Sequence, residues 1–454
     1  MEALFGTDGI RGEAGRFPLD AATVNVIGSS LARYLANATG RPPALIIGRD
    51  TRESGQWLER ALIEGAVSGG AECRSAGVIT TPGVAFLTRS LQADAGIVIS
   101  ASHNPYHDNG IKIFSPSGRK LDDSIERQIE SDILTSAKKS QSLQPDELST
   151  DLTPDDEESL QRRYLAFLSD EIGKGLSLKG LTIVLDCANG ASSALAPVLF
   201  ERLGARAIPI NYQPDGRNIN KDSGSLHIEA LQQRVVAEKA DLGVAFDGDA
   251  DRALFIDKDG NFVDGDATLW VLANYLHAKS QLKQDLVVAT VMSNIGLEIA
   301  LRSRGLRLVR TDVGDKYVLE ELLRLGASLG GEQSGHIIFP QLSLAGDGMI
   351  SALCLLRAMR EREKTLFELS DGFERYPQVL INVPVREKRA FGELPEVQQV
   401  VAETERKLSD KGRLLLRYSG TEPLARIMIE GQKQSEIEAY AGDIASAIRH
   451  TLGN

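Results

Sequence analysis

Two short segments of this 454-residue chain carry residue types that could do phosphate and metal chemistry together. The first is Ser100-Ala101-Ser102-His103-Asn104-Pro105. The apolar run Ala95–Ile99 before it reads as a buried strand and Asn104-Pro105 after it as a turn, which puts the Ser102 hydroxyl at the mouth of a strand rather than in a core. A serine there, beside the His103 imidazole, is a candidate phosphate acceptor working next to a metal. The second segment is Asp247-Gly248-Asp249-Ala250-Asp251-Arg252, which follows the strand Leu242–Phe246. Aspartates at alternate positions of an extended chain project to one side. Two such charges about 4 Å apart repel by roughly 4 kcal/mol at an effective dielectric of 20. Three together ask for a divalent cation, and an all-oxygen ligand set favours Mg2+ or Ca2+. An EF-hand loop is the obvious rival and fails: its sixth position, which needs glycine, holds Arg252, and its twelfth, which needs glutamate, holds Lys258.

Two further segments extend the set. In Gly331-Glu332-Gln333-Ser334-Gly335-His336, a glutamate and a serine hydroxyl at alternate positions could bind neighbouring sugar hydroxyls, and His336 could move protons. It is not the serine elbow of hydrolases, because Glu332 occupies the position of the first glycine. In Arg417-Tyr418-Ser419-Gly420-Thr421-Glu422-Pro423, with Arg426 beyond, an arginine, two hydroxyls and glycine-exposed backbone N–H groups make a phosphate cradle. Each loop alone would pass for ordinary turn chemistry. The net charge of −12 argues against a nucleic-acid partner, so an enzyme handling phosphates must concentrate its cations locally. Candidates are Arg11, Arg49, Arg52, Lys112 and Lys316.

The elements that must position these loops alternate. Ala44–Ile47, an amphipathic segment from Ser54 to about Gly69, a strand near 74–78, a helix after Thr81-Pro82 and the strand before Ser102 read as βαβαβ, a largely parallel sheet wrapped by helices. A charged passage from about Ser136 to Glu158 reads as a solvated linker. The alternation restarts at Leu181–Asp186 and again at Leu286–Val291, suggesting internal duplication. From about Tyr376 the rhythm becomes that of a small α+β domain. The expected domains are 1–150 with the serine loop, 151–256 with the aspartates, 257–372 with the Glu332 loop and 373–454 with the Arg417 loop. Only Cys73, Cys187 and Cys354 occur, without CxxC spacing, which predicts neither a disulfide framework nor a zinc site. No secretory signal or membrane span is legible, so a cytoplasmic protein is expected.

With the four segments in this order, the chain resembles the α-D-phosphohexomutase superfamily from end to end. The resemblance implies three similar mixed α/β domains and a smaller α+β C-terminal domain around a central cleft, each domain contributing one loop. It implies that Ser102 is carried as a phosphoserine, and that Ser102, Asp247, Asp249 and Asp251 hold one Mg2+ per subunit. Glu332 and Ser334 would bind sugar hydroxyls, and Arg417, Ser419, Gly420 and Thr421, with Arg426 nearby, would grip the phosphate that is not reacting. Arg11, His103, Lys112, Arg252 and His336 would surround the phosphoryl group in flight, with Lys112 and His336 as candidates for acid/base work. The opening Phe5-Gly6-Thr7-Asp8-Gly9-Ile10-Arg11-Gly12 and Gln333, commonly methionine in the phosphomannomutase/phosphoglucomutase branch, resemble the amino-sugar branch. That branch interconverts glucosamine 6-phosphate and glucosamine 1-phosphate through glucosamine 1,6-bisphosphate. The expected partner is thus a small-molecule sugar phosphate, with no nucleic acid and no membrane, and the expected state a monomer or homodimer. The glucose/mannose branch and a metal-dependent sugar phosphatase are the rivals.

Overall fold

The apolar runs become strands of four separate sheets. The computed structural model describes residues 4–6, 8–136, 154–419 and 422–453. Most of the expected linker from Ser136 to Glu158 lies outside the described residues, as do Gly420 and Thr421.

The first sheet has six strands in the order β1-β2-β6-β5-β3-β4. They are β1 (Phe5–Gly6), β2 (Gly9–Glu13), β3 (Ala44–Arg49), β4 (Glu72–Val78), β5 (Ala95–Ile99) and β6 (Asp108–Phe114). Helices α1 (Ala21–Thr39), α2 (Gly55–Ser68), α3 (Thr81–Ser90) and α4 (Asp123–Ser136) accompany it, and α5 (Pro154–Ala166) follows. Leu45, Ile47, Ile97, Ile99 and Ile111 of the sheet are buried in one core with Ile27 and Leu31 of α1 and Leu62 of α2. The expectation of a largely parallel sheet needs correction. β3, β4 and β5 are parallel, but β1, β2 and β6 run antiparallel to their neighbours. The cause is chain length: a parallel return needs a dozen or more residues, and only 100–107 separate β5 from β6.

That hairpin return recurs. In the second sheet, ordered β11-β10-β9-β7-β8, β7 (Thr182–Asp186) lies parallel to β8 (Arg206–Ile210) and β9 (Leu242–Phe246). The chain then turns back through Asp247–Arg252 into antiparallel β10 (Ala253–Asp257), with the short β11 (Phe262–Val263) at the edge. Helices α6 (Ala196–Arg202) and α7 (Glu229–Glu238) connect these strands. The third sheet has the order β13-β12-β14-β15, formed by β12 (Leu286–Thr290), β13 (Arg307–Thr311), β14 (Gly330–Gly331) and β15 (Ile337–Ile338). β12 and β14 are parallel, and β14 returns as antiparallel β15 across Glu332–His336. The helices along this stretch of the chain are α8 (Gly265–Ala278), α9 (Ile295–Ser303), α10 (Asp315–Leu325), α11 (Gly348–Arg362) and α12 (Leu366–Leu369). The serine, aspartate and glutamate loops thus occupy the same topological position in three successive sheets.

The fourth sheet, β16 (Gln378–Pro384), β18 (Leu424–Glu430) and β17 (Arg413–Tyr418), is antiparallel throughout. Val383, Ile427 and Ile429 pack into a core with Val397 of α13 (Pro395–Leu408) and Ile444 and Ile448 of α14 (Gln434–Leu452). The chain divides into two compact units, one of Met1–Val291 with Val309–Asp371 and one of Met292–Leu308 with Gly372–Asn454. Among the described residues, no helix is long and apolar enough to cross a membrane.

Candidate active site

Ser102 occupies the left-handed region, with φ 52°. A residue with a Cβ pays for that conformation, so the surroundings must impose it. The neighbours do so through hydrogen bonds. The Ser102 N–H donates to Ser100 Oγ at 2.9 Å, and Ser100 Oγ donates to Asp50 Oδ2 at 2.6 Å. The Arg52 guanidinium, 1% exposed, donates to the carbonyls of Ser102, Asn104, Pro105 and Asp108. From the second sheet's domain, Asn220 Nδ2 reaches Ser102 O at 2.8 Å and Asn104 O at 3.0 Å. The expectation of a hydroxyl open at a strand mouth is corrected here, because Ser102 is 1% exposed. The aspartate loop covers it: a Cβ on Gly248 would stand 2.5 Å from Ser102 O.

The aspartate loop is not the extended segment expected. It closes as a turn, with the Ala250 N–H donating to Asp247 O at 3.1 Å and Ala250 at φ 56°. Curling rather than alternation gathers the three carboxylates, which each offer an oxygen within 4.8 Å of the others. Ser102 Oγ donates to Asp247 Oδ2 at 2.7 Å. Asp249 Oδ2 accepts from Thr81 Oγ1 at 2.6 Å and from Lys112 Nζ at 2.9 Å. Asp249 Oδ1 and Asp251 Oδ1 are buried and accept no hydrogen bond. Burial, together with the charges of Asp251 and Asp249, pushes the Asp247 carboxyl well above the usual range. Buried acceptors without donors and a carboxylate crowded by its own kind fit a hard divalent cation.

The cations expected around the serine assemble on these carboxylates. Lys112, on β6, is 2% exposed and lies 3.2 Å from Asp8 Oδ2 and 3.5 Å from Asp251 Oδ2. Burial would lower its pKa, but the attraction of Asp249, Asp8 and Asp251 outweighs it and holds the ammonium charged. His336 Nδ1 is 3.6 Å from Asp251 Oδ1, and its Nε2 is 3.9 Å from Asp315 Oδ2. Burial opposes the imidazolium, yet Asp251 and Asp315 raise its pKa to about 9. His103 is the converse: burial and the nearby Arg252 and Arg11 lower it to about 4, leaving a neutral ring with Nδ1 3.2 Å from Ser102 Oγ. The Arg252 N–H donates to Asp247 Oδ1, and its Nε stands 3.8 Å from Asp251 Oδ1. Arg11 Nη1 contacts Ala101 O and Asn104 Oδ1 while Nη2 pairs with Asp8. Lys316 and Arg49 do not join them, since Lys316 Nζ pairs with Asp123 at 2.6 Å and Arg49 Nε with the buried Glu59 at 2.9 Å.

The Glu332 loop is stitched to the aspartate loop's strand, with Ala253 N–H donating to Gly335 O at 3.1 Å. Gly335 lies at φ 90°, and a Cβ there would stand 2.4 Å from Ala253 O, so glycine is required. Glu332 Oε1 accepts from the Gly314 N–H at 3.2 Å, and Ser334 Oγ sits 3.5 Å from Glu332 Oε2. Gln333 Nε2 donates to Asp266 Oδ2 at 3.0 Å. Ser102, His103, Arg11, Lys112, Arg252, His336, Glu332, Ser334 and the three aspartates all belong to the first compact unit.

Within the second unit, Arg417 and Arg426 are register partners on β17 and β18. Like charges placed opposite each other across strands are unfavourable unless an anion joins them. Arg426 Nη2 donates to Ser419 Oγ at 3.2 Å, and Lys388 Nζ to Ser419 O at 2.7 Å. Arg426 Nη2 also pairs with Glu422 at 3.2 Å, so two arginines and a lysine gather around Ser419 with one carboxylate among them.

Thr81, Asp8, Asn220, Asp315 and Lys388 escape the sequence reading. Thr81-Pro82 signals only a helix start, Asp8 stands in the opening segment without a role assigned to it, and Asn220, Asp315 and Lys388 lack any local pattern, because each acts on a partner distant in sequence.

Comparison with known proteins covers the whole architecture. Models of the phosphoglucomutase/phosphomannomutase family match in chain order: α/β/α domain I over residues 2–140, domain II over 162–260, domain III over 264–376 and the C-terminal domain over 380–447. The chain is 50% identical over 450 residues to the phosphoglucosamine mutase of Solibacter usitatus, covering 99% of both chains. It is 46% identical to that of Myxococcus xanthus, covering 99% of this chain and 98% of the relative. Among solved structures, a phosphoglucomutase/phosphomannomutase family protein from Burkholderia thailandensis superposes with TM-score 0.79 at 22% identity, covering 99% of this chain and 97% of the other. An Aspergillus fumigatus N-acetylphosphoglucosamine mutase, solved with GlcNAc-6P and magnesium, gives 0.60 at 18% identity over 98% and 95% of the two chains. At those identities the structures speak for the fold alone, whereas the full-length relatives speak for the branch. The chain belongs to the phosphoglucosamine mutase family of the phosphoglucomutase/phosphomannomutase fold.

Proposed function

We propose that this enzyme interconverts glucosamine 6-phosphate and glucosamine 1-phosphate through a phosphorylated Ser102. The observation that carries the reading is Ser102 Oγ, held in a left-handed turn 2.7 Å from one carboxylate of a buried aspartate triad. In a member of the phosphoglucosamine mutase family, a hydroxyl so placed is a phosphate carrier rather than a hydrolytic nucleophile.

The chain's residues divide the work. The O1 hydroxyl of glucosamine 6-phosphate attacks phosphorus, the P–O bond to Ser102 Oγ breaks, the O1 proton passes to a neighbouring base, and the departing Oγ takes up a proton from a neighbouring acid. The product is glucosamine 1,6-bisphosphate and a free serine. After the bisphosphate turns over, Ser102 Oγ takes back the 6-phosphoryl group and glucosamine 1-phosphate leaves. Asp247, Asp249 and Asp251, with the Ser102 phosphate, would hold Mg2+, which would supply charge neutralisation to the transferring phosphoryl group. Arg252, Arg11 and the Lys112 ammonium offset the rest of that charge. The charged His336 can donate a proton, and the neutral His103 can donate a hydrogen bond to Oγ. Glu332 and Ser334 orient the sugar, while Arg417, Ser419 and Arg426, with Gly420 and Thr421 outside the described residues, grip the non-reacting phosphate. The three unpaired cysteines suit a reducing cytoplasm.

The test joins intact-mass analysis of wild type and Ser102→Ala with coupled assays on glucosamine, glucose and mannose 6-phosphates. The expected result is one phosphate on wild type, none on the variant, loss of turnover in the variant, and preference for the amino sugar. Equal turnover of glucose or mannose 6-phosphate would move the assignment to that branch. Free phosphate released in step with substrate consumed would make the enzyme a phosphatase.

A further inference from the structure

The serine loop is clamped from two directions by side chains that touch neither the aspartates nor any proposed substrate contact. Arg52 uses all five of its N–H donors: Nε on Asp50 Oδ2, Nη1 on Pro105 O and Asp108 O, and Nη2 on Ser102 O and Asn104 O. Asn220 spends both amide hydrogens on two of the same carbonyls, Ser102 O and Asn104 O. Both partners are acceptors only, which fixes the amide orientation. Asn220 is itself buried and left-handed, with φ 59°, and its N–H donates to Ala188 O at 2.9 Å. Ser102 O, the carbonyl of the residue with the costly backbone, therefore has two donors from two domains.

Resting on the mutase reading above, we propose that Asn220 is a positioning residue for phosphoryl transfer: it fixes the left-handed turn that aims Ser102 Oγ at the aspartates. The two clamps differ in what their removal does. Without Arg52, Pro105 O and Asp108 O lose their side-chain donor and the buried Asp50 carboxylate, although still bonded by Ser100 Oγ, loses its counter-charge, so the fold suffers. Without the Asn220 amide, Ser102 O and Asn104 O each keep Arg52, so the loop persists and loses only its second restraint.

The informative variants are Asn220→Gly, which removes the amide yet tolerates the positive φ, and Asn220→Asp, which keeps the shape and turns the donor into an acceptor. Asn211→Gly is the structural control: Asn211 is also left-handed, with φ 46°, and its Nδ2 bonds Asp186 Oδ2. Turnover is divided by the phosphorylated fraction from intact mass, and the phosphoserine is observed by 31P NMR. In either Asn220 variant, kcat per phosphorylated serine should fall at least about ten-fold with KM within about two-fold, and the 31P resonance should shift. Asn211→Gly should lose stability and leave both readouts at the wild-type value. Wild-type kcat per phosphorylated serine in the Asn220 variants overturns the proposal. Absence of phosphate on wild-type Ser102, or full turnover in Ser102→Ala, overturns the mutase reading instead, so the two failures are distinct.

Discussion

Asp347→Asn tests how the buried scaffold behind the aspartate loop is charged. Asp347, 3% exposed, caps α11: its Oδ1 accepts from the N–H groups of Met349 and Ile350, and its Oδ2 from the Tyr164 hydroxyl at 2.7 Å. The next residue, Gly348, donates its N–H to Ala250 O, so the cap holds the helix against the proposed metal loop. Burial pushes the Asp347 carboxyl from 3.8 to about 6, against the lowering effect of Tyr164 and the two N–H donors. The folded state thus favours the neutral acid. Its contribution is complete below the unfolded value near 4 and is lost as pH rises to about 6, the reverse of a salt-bridged aspartate. The full difference corresponds to about 3 kcal/mol, of which about 1.4 kcal/mol falls between about pH 5 and pH 7.5. Asparagine caps as well as aspartate and does not ionise, so the variant escapes this term. In urea unfolding followed at a series of pH values, the stability of Asp347→Asn relative to wild type should rise by that amount over the interval. Parallel pH curves for the two proteins would refute the reasoning, because the carboxyl would then pay no burial cost.

Two further outcomes are expected. Thr81→Val keeps the shape and removes the hydrogen bond to Asp249 Oδ2, which should cost about 1.5–3 kcal/mol of stability and raise the Mg2+ half-saturation by about 10–100-fold. Calorimetric titration and the Mg2+ dependence of Tm would read this, and an unchanged metal response would remove Thr81 from the site. Arg417→Ala should raise the KM for glucosamine 6-phosphate about 10–100-fold through loss of a charge-assisted phosphate contact, with the Ser102 phosphate level unchanged. Because it also relieves the facing Arg426, Tm should not fall; an unchanged KM would show that the pair holds no substrate phosphate.

The four loops were legible because each concentrates its hydroxyls or charges within six or seven residues, and an apolar strand marks where the serine and aspartate loops begin. What supports the loops was not legible, because the partners are far apart in sequence. Thr81 meets Asp249 across 168 positions, Asn220 meets Ser102 across 118 and Arg52 meets it across 50. Arg52 was visible as a cation, but nothing nearby says that four of its donors turn inward onto backbone carbonyls while the fifth pairs with Asp50. The parallel reading holds for β3, β4 and β5 and stops at β6, which pairs by loop length, a quantity that periodicity does not report.

The three hairpin loops of the first compact unit also share a feature that residue types conceal. Each turns through one residue of positive φ: Ser102 at 52°, Ala250 at 56° and Gly335 at 90°. A sequence advertises that conformation only where glycine supplies it, as at Gly335. At Ser102 and Ala250 a Cβ is forced into it, which costs about 1–3 kcal/mol each and needs a surrounding structure to enforce it. The enforcement is on view: Arg52 and Asn220 act on Ser102 O, and the Gly348 N–H donates to Ala250 O. The serine cannot be replaced by glycine because its hydroxyl is the phosphate carrier in the proposed reaction. The requirement for a side chain at a position that geometry would give to glycine therefore explains why two buried donors from different domains converge on one peptide carbonyl.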